Sequence, residues 1–215
     1  MIEKINTRYY EKLSRPNTVV TDLARQMARE QRELSVCEIG VGIGATSLAL
    51  FYSLRPEDHL FLLDYHDVVE ELKADLQGLS AAGPQLHCHG NSRTHLDSYA
   101  WTVQKLAQTG VRFDLVFLDG AHNFLYDGIV CSLMGRLLND GGYLVVDDVS
   151  LTMQDIINHN PAMAQRLQAQ YSDEQLQTPQ LEAVLACYLI RNKAFQQIPC
   201  ADQDIRIFQK RGGES

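Results

Sequence analysis

The feature that most constrains this chain is an alternation. Short apolar runs at 35–39, 59–64, 85–89, 113–119 and 142–148 are separated by stretches of helical periodicity near 44–54, 67–78, 94–109 and 124–138. Strand-length runs that alternate with helix-length patterns specify βαβ units, and hence a mostly parallel sheet with helices on both faces. The segment Asn139-Asp140-Gly141-Gly142 reads as the cap and turn that end the fourth of these helices. After residue 150 the pattern changes. Helical segments near 152–171 and 179–191 are broken by Pro161 and Pro179, and two β-like runs at 194–199 and 204–210 follow at hairpin spacing. The expectation is an α/β doubly wound sheet of seven strands, closed by a C-terminal antiparallel hairpin. With no repeat or linker in sight, residues 1–215 form one domain. It has an N-terminal helical cap (1–34), a core (35–150), a helical insert (151–192) and the hairpin (193–215).

Charge narrows the partners. A formal net charge of −8 leaves no basic stripe for a nucleic acid to follow. The basic cluster at Gln209–Gly212 reads as a solvated tail. The N-terminus has no apolar signal core, and the longest apolar-rich run, near Ala45–Leu54, is too short to span a bilayer. The five cysteines form no C-x-x-C pair, so they read as reduced, mostly buried thiols of a cytoplasmic protein.

The first strand runs into Glu38-Ile39-Gly40-Val41-Gly42-Ile43-Gly44. Glycines at a strand–helix turn let the backbone approach a ligand beyond the carboxyl ends of the strands. The same residues read as G-x-G-x-x-A from Gly40 to Ala45, a pattern that suits NAD. Glu38 separates the alternatives. A carboxylate two residues before the first glycine repels a pyrophosphate, yet it favours the ammonium and sulfonium of S-adenosylmethionine. Asp64, at the end of the second strand, can accept bonds from ribose hydroxyls of either cofactor, and Tyr65 and His66 follow it toward the adenine or ribose.

Four landmarks in this order resemble the class I S-adenosylmethionine-dependent methyltransferases. They are Glu38-x-Gly40-x-Gly42-x-Gly44, Asp64, Gly90-Asn91-Ser92 after the third strand, and Leu138–Gly142 before the fifth. The resemblance spans roughly 35–150 and the closing hairpin, and it implies a Rossmann-like fold. It assigns Glu38 and the three glycines to the methionine end of the cofactor, Asp64 and Tyr65 to the ribose side, and Asn91 and Ser92 to the adenine.

A second constellation sits on the later strands. Asp119 ends the fourth, and Asp147 and Asp148 end the fifth, so parallel neighbours bring three carboxylates to one edge. Such a cluster repels itself unless a cation joins it, and an all-oxygen set suits magnesium or a similar divalent ion. Other uses remain open: Asp147 or Asp148 can cap the next helix or bind a substrate amine. The segment Asp119-Gly120-Ala121-His122 resembles the Asp-Gly-x-His branch of metal-dependent O-methyltransferases, the macrolide-sugar type related to the catechol type. That resemblance implies Asp119, Asp147 and Asp148 as metal ligands, with Asp119 also beside the cofactor, and His122 as general base. Where the catechol type carries Asn, this chain has Asp148. A histidine titrates near neutrality and can take a hydroxyl proton, whereas in a bland reading His122 is a loop residue bonded to nearby acids. Tyr126 and Asp127 receive no catalytic role, and His87 and His89 read as structural. The Arg8-Tyr9-Tyr10 region and the helical insert are the segments able to shape an acceptor. The expected activity is methyl transfer to a small-molecule hydroxyl by a soluble enzyme with no membrane partner, which forms a homodimer as relatives often do. The alternatives are metal-independent N-, C- or carboxylate methylation, an NAD-dependent oxidoreductase, and a non-catalytic S-adenosylmethionine binder.

Overall fold

The computed structural model describes all residues except 8, 9, 12, 31, 32, 80, 81 and 213–215. Seven strands form one sheet in the order β3-β2-β1-β4-β5-β7-β6. The strands are β1 (Ser35–Ile39), β2 (His59–Tyr65), β3 (Gln85–Asn91), β4 (Phe113–Leu118), β5 (Leu138–Val146), β6 (Phe195–Ile198) and β7 (Arg206–Lys210). β1 to β5 pair in parallel, while β7 runs antiparallel to both β5 and β6. The Rossmann-like doubly wound sheet with its C-terminal hairpin is therefore present as read from the sequence.

Alternation within the buried strands sorts the core into two layers. Cys37, Ile39, Phe61, Leu63, Val116 and Leu118 face one way, onto α4 (Ser98–Thr109), α5 (Phe124–Leu137) and α9 (Gln180–Tyr188). Val36, Leu60, Leu62, Leu115 and Phe117 face the other way, onto α1 (Thr18–Glu30), α2 (Ala45–Ser53) and α3 (His66–Gln77). Strands covered on both faces are apolar at nearly every position, which is why β1, β2 and β4 stand out in the chain. The insert is a run of short helices, α6 (Met153–His159), a 3-10 turn at Pro161–Met163, α7 (Ala164–Gln170) and α8 (Asp173–Gln177). Met153, Ile157, Leu167 and Leu176 give it a small core of its own.

Several expectations need correcting. The N-terminal 34 residues are not one helix. Among the described residues a 3-10 turn spans Ile2–Lys4, and α1 begins only after Pro16, with Asn17 Oδ1 accepting the Val20 N–H at 3.1 Å. The Asn139–Gly142 segment is not a turn but the start of β5, where the register against β4 shifts between Phe113 and Leu115. A bulge absorbs the glycines that suggested a turn. Gln209 and Lys210 belong to β7 rather than to a solvated tail, and Lys210 Nζ donates to the Leu138 carbonyl at 2.9 Å. All five cysteines are free thiols, but only Cys37 and Cys131 are buried, and Cys187 is exposed. Of the proposed acceptor segment, Arg8 and Tyr9 lie outside the described residues. Among the described residues, no helix is long and apolar enough to cross a membrane.

Candidate active site

The strand order reverses direction between β1 and β4, and ligands of doubly wound sheets bind at such a switch point. The ladder there climbs like a stair. Gly40 N donates to Leu63 O (2.8 Å), Asp119 N to Ile39 O (2.9 Å) and Asp147 N to Leu118 O (3.0 Å). Each of these residues is the first beyond its strand, so the sheet itself fixes where the glycine turn and the two aspartates begin. Gly40, Gly42 and Gly44 all have positive φ. At Gly40 an added Cβ would lie 1.8 Å from the Asp119 carbonyl oxygen, so only glycine lets the two loops touch.

On the glycine side the acids already have partners. Asp64 Oδ2 accepts the Val41 N–H at 2.9 Å and Oδ1 the Tyr65 N–H at 2.6 Å, which ties the second strand end to the glycine turn. Glu38 is buried and takes the Ser47 hydroxyl of α2 at 2.6 Å. Burial pushes its carboxyl up to about 8, with the Asp119 and Asp64 charges adding to the rise and the Ser47 bond opposing it. Further along, Tyr65 carries the Arg93 guanidinium on its ring at 3.9 Å. His66, Asn91 and Ser92 border a cleft of about 600 Å³, together with Trp101 and Lys105 of α4. Asn91 is buried, and among the described residues its Oδ1 has no partner. His87 stacks on Phe61 (4.3 Å between ring centres) and pairs with His59 at 2.9 Å, away from both clefts.

The other side is built differently. A cavity of about 500 Å³ is bordered by Glu38, Gly42, Asp119, Asp147 and Asp148, and closed by Leu13–Val19 and by Asp202 and Ile205. Asp119, His122 and Asp148 can each direct one ligand atom to within 4.8 Å of the others. His122 Nε2 lies 3.5 Å from Asp119 Oδ1, while its Nδ1 is buried without a partner. Burial and the charges of Asp147 and Asp148 push Asp119 up to about 8. Asp147 is also raised by burial, against the Asn17 amide that donates to its Oδ2 at 2.8 Å. Both His122 (φ 52°) and Asp148 (φ 50°) sit in the left-handed region, which non-glycine residues seldom adopt.

The three acids and His122 therefore share one sheet edge, but not in equal roles. The tight group is Asp119, His122 and Asp148, and Asp147 stands beside it, held by Asn17 and by the Asp148 N–H at 3.0 Å. Carboxylates grouped with an imidazole are a donor set that fits a divalent cation, and bonds to ligating carboxylates are a normal outer shell of such a site. Sequence reasoning missed Asn17, Ser47, Tyr99 and Asp127. Asn17 shows in the chain only as a helix-capping residue after a proline, and its contact with Asp147 spans 130 positions.

The profile of the methyltransferase-domain family matches residues 37–149, more than half of the chain. The fold is that of a class I methyltransferase domain. The chain belongs to that methyltransferase family. Among solved structures, it is similar to SAH-bound PaMTH1 of Podospora anserina (17% identity, 98% of this chain and 86% of that one, TM-score 0.61). It is also similar to the O-methyltransferase TomG of Streptomyces achromogenes, involved in tomaymycin synthesis and solved with SAM (17%, 91% and 81%, 0.54). A third is the MycE methyltransferase of the mycinamycin biosynthetic pathway, solved with Mg, SAH and mycinamycin VI (18%, 88% and 48%, 0.56). The chain spans about half the length of MycE. No sequence relative is found among curated proteins.

Proposed function

We propose that this protein transfers the methyl group of S-adenosylmethionine to a hydroxyl of a small molecule, with a divalent cation and His122 assisting. The observation that carries the reading is the meeting of Asp119, His122 and Asp148 at the strand edge that also holds the glycine turn. Membership of the methyltransferase family supports the reaction, and the Mg, SAH and mycinamycin VI bound by MycE support the cation and a small-molecule acceptor.

In this reading Glu38 and the glycine turn face the methionine end, and Asp64 accepts from the ribose. The partnerless Oδ1 of Asn91 is an acceptor waiting for an N–H, as an adenine amino group would supply. Asp119, Asp147 and Asp148 hold the cation, with Asn17 orienting Asp147. A divalent ion there supplies positive charge that favours the deprotonated acceptor and fixes its position. His122 accepts the hydroxyl proton at Nε2, the ring nitrogen beside Asp119, while the oxygen attacks the sulfonium methyl in line. The Asp119–His122–Asp148 grouping also favours a second reading, in which His122 is a ligand rather than a base.

Two measurements decide. Calorimetry with S-adenosylhomocysteine tests the cofactor, and binding of NAD in its place would overturn the reading. Methyl transfer to catechols and sugars, assayed with and without excess EDTA, tests the cation; full activity in EDTA would remove it. Manganese binding followed by electron paramagnetic resonance separates base from ligand. His122→Gln keeps manganese affinity if His122 is the base and loses it if His122 is a ligand.

A further inference from the structure

We infer that Asp127, braced by Tyr99, is the positioning residue that holds the His122 loop in its strained conformation. The inference rests on the reading of His122 as the base and adds a residue to that site.

Asp127 is the fourth residue of α5 and is fully buried. Its Oδ2 accepts the Asn123 N–H at 3.1 Å, and its Oδ1 accepts the Ala121 N–H at 3.4 Å and the Tyr99 hydroxyl at 2.9 Å. The two backbone donors flank His122 on either side. A left-handed non-glycine residue persists only where its surroundings over-determine it, and these bonds hold the amides of the residues before and after the strained one. A plain helix cap needs only one of the oxygens, and Asn123 already caps α5 by accepting the Tyr126 N–H at 2.9 Å. The second oxygen reaches past the helix to the loop and to α4. Burying a carboxylate among neutral donors is costly, which makes a capping role alone a poor account.

Gly120 belongs to the same device. A Cβ there would lie 2.4 Å from the Tyr99 hydroxyl and 2.7 Å from Asp127 Oδ1, so the bracket forms only because residue 120 has no side chain. Tyr99 in turn packs edge-on against Tyr126, with ring centres 6.1 Å apart, closing the bracket from α5.

The test is the imidazole spectrum of the full chain by proton–nitrogen NMR, with the His122 signal assigned by its loss in His122→Gln. In Asp127→Asn we expect the His122 signal to shift or split, while His59, at the start of β2, and His87, on β3, keep theirs. Affinity for S-adenosylhomocysteine should change less than about twofold, because distant sites act almost independently. An unmoved His122 signal in a folded Asp127→Asn protein overturns the inference and leaves the base reading standing. Should Asp127→Asn fail to fold, Tyr99→Phe decides by the same criterion: a displaced His122 signal supports the bracket, and an unchanged one overturns it. Methyl transfer by His122→Gln at the wild-type rate would remove the base reading itself, and this inference with it.

Discussion

The two halves of the cleft are built on opposite plans. On the cofactor side each carboxylate has a partner supplied by the chain: Asp64 takes Val41 N and Tyr65 N, and Glu38 takes Ser47. On the acceptor side three carboxylates crowd together, His122 keeps an empty buried nitrogen, and two residues are held in left-handed backbone. In the proposed reading the first half is largely tied down by the chain, with Asn91 Oδ1 left for the cofactor, and the second is arranged around a cation. The difference teaches where binding is pre-built and where a ligand must finish the site. The glycine turn joins the halves: Gly40 packs against the Asp119 carbonyl, and Glu38 and Gly42 also border the acceptor-side cavity.

The hardest blow to this asymmetry falls on the acceptor side. His122→Gln should lower turnover by about 10²–10⁴-fold, the usual worth of a general base, and leave S-adenosylhomocysteine affinity nearly unchanged. Steady-state kinetics beside calorimetry check both halves at once, and a parallel loss of cofactor affinity would show that the halves are not separable. The mirror experiment is Asp64→Ala. It removes a charged acceptor that ties the glycine turn to β2, so cofactor affinity should fall by about 10–100-fold. Bound manganese should be unaffected, since Asp64 lies outside the Asp119–His122–Asp148 group.

A third experiment uses pH. Burial moves Glu38 from its ordinary 4.5 to about 8, so folding takes up a proton between those values. The native state then binds more protons than the unfolded chain, and stability falls as pH rises through that window. One such group gives a slope of at most about 1.4 kcal/mol per pH unit. Glu38→Gln should flatten the slope and make the ligand-free protein more stable than wild type near pH 8. Denaturant melts at several pH values check this, and an unchanged slope would mean that Glu38 is ionised inside the fold.

The sequence carried the sheet well and the site unevenly. β1, β2 and β4 are legible because a strand covered on both faces must be apolar nearly throughout. The start of β5 was hidden by Gly141 and Gly142, because a bulge and a turn ask for the same residues. The start of α1 was not legible, since the periodicity set by Leu23 and Met27 says nothing of the chain before Pro16. Asp119, Asp147 and Asp148 could be placed on one edge from topology alone. Their partners could not, because Asn17 reaches Asp147, and Tyr99 reaches Asp127, through tertiary contacts that leave no periodic trace.

Asn17 supports the smallest test, and it probes how far the acceptor side depends on help from outside the sheet. Its amide donates to Asp147 Oδ2 while its own Oδ1 caps α1, so one residue couples the N-terminal segment to the strand-five acids. Without that amide Asp147 loses the larger of the two bonds that lower its proton affinity against burial, keeping the Asp148 N–H, and it is freer to turn away from the cavity. A single hydrogen bond to a charged group is worth about 1.5–3 kcal/mol at most, and water reaching the cavity replaces part of it. Asn17→Ala should therefore weaken manganese binding by about three- to tenfold, the range for a lost outer-shell bond at its lower end. Asn17→Asp retains the helix cap and replaces the amide with a fourth carboxylate. If the amide orients Asp147, the aspartate variant binds manganese no better than Asn17→Ala. If the aspartate variant instead binds it as wild type does, Asn17 serves only the helix, and the acceptor side stands on its four strand-end residues alone.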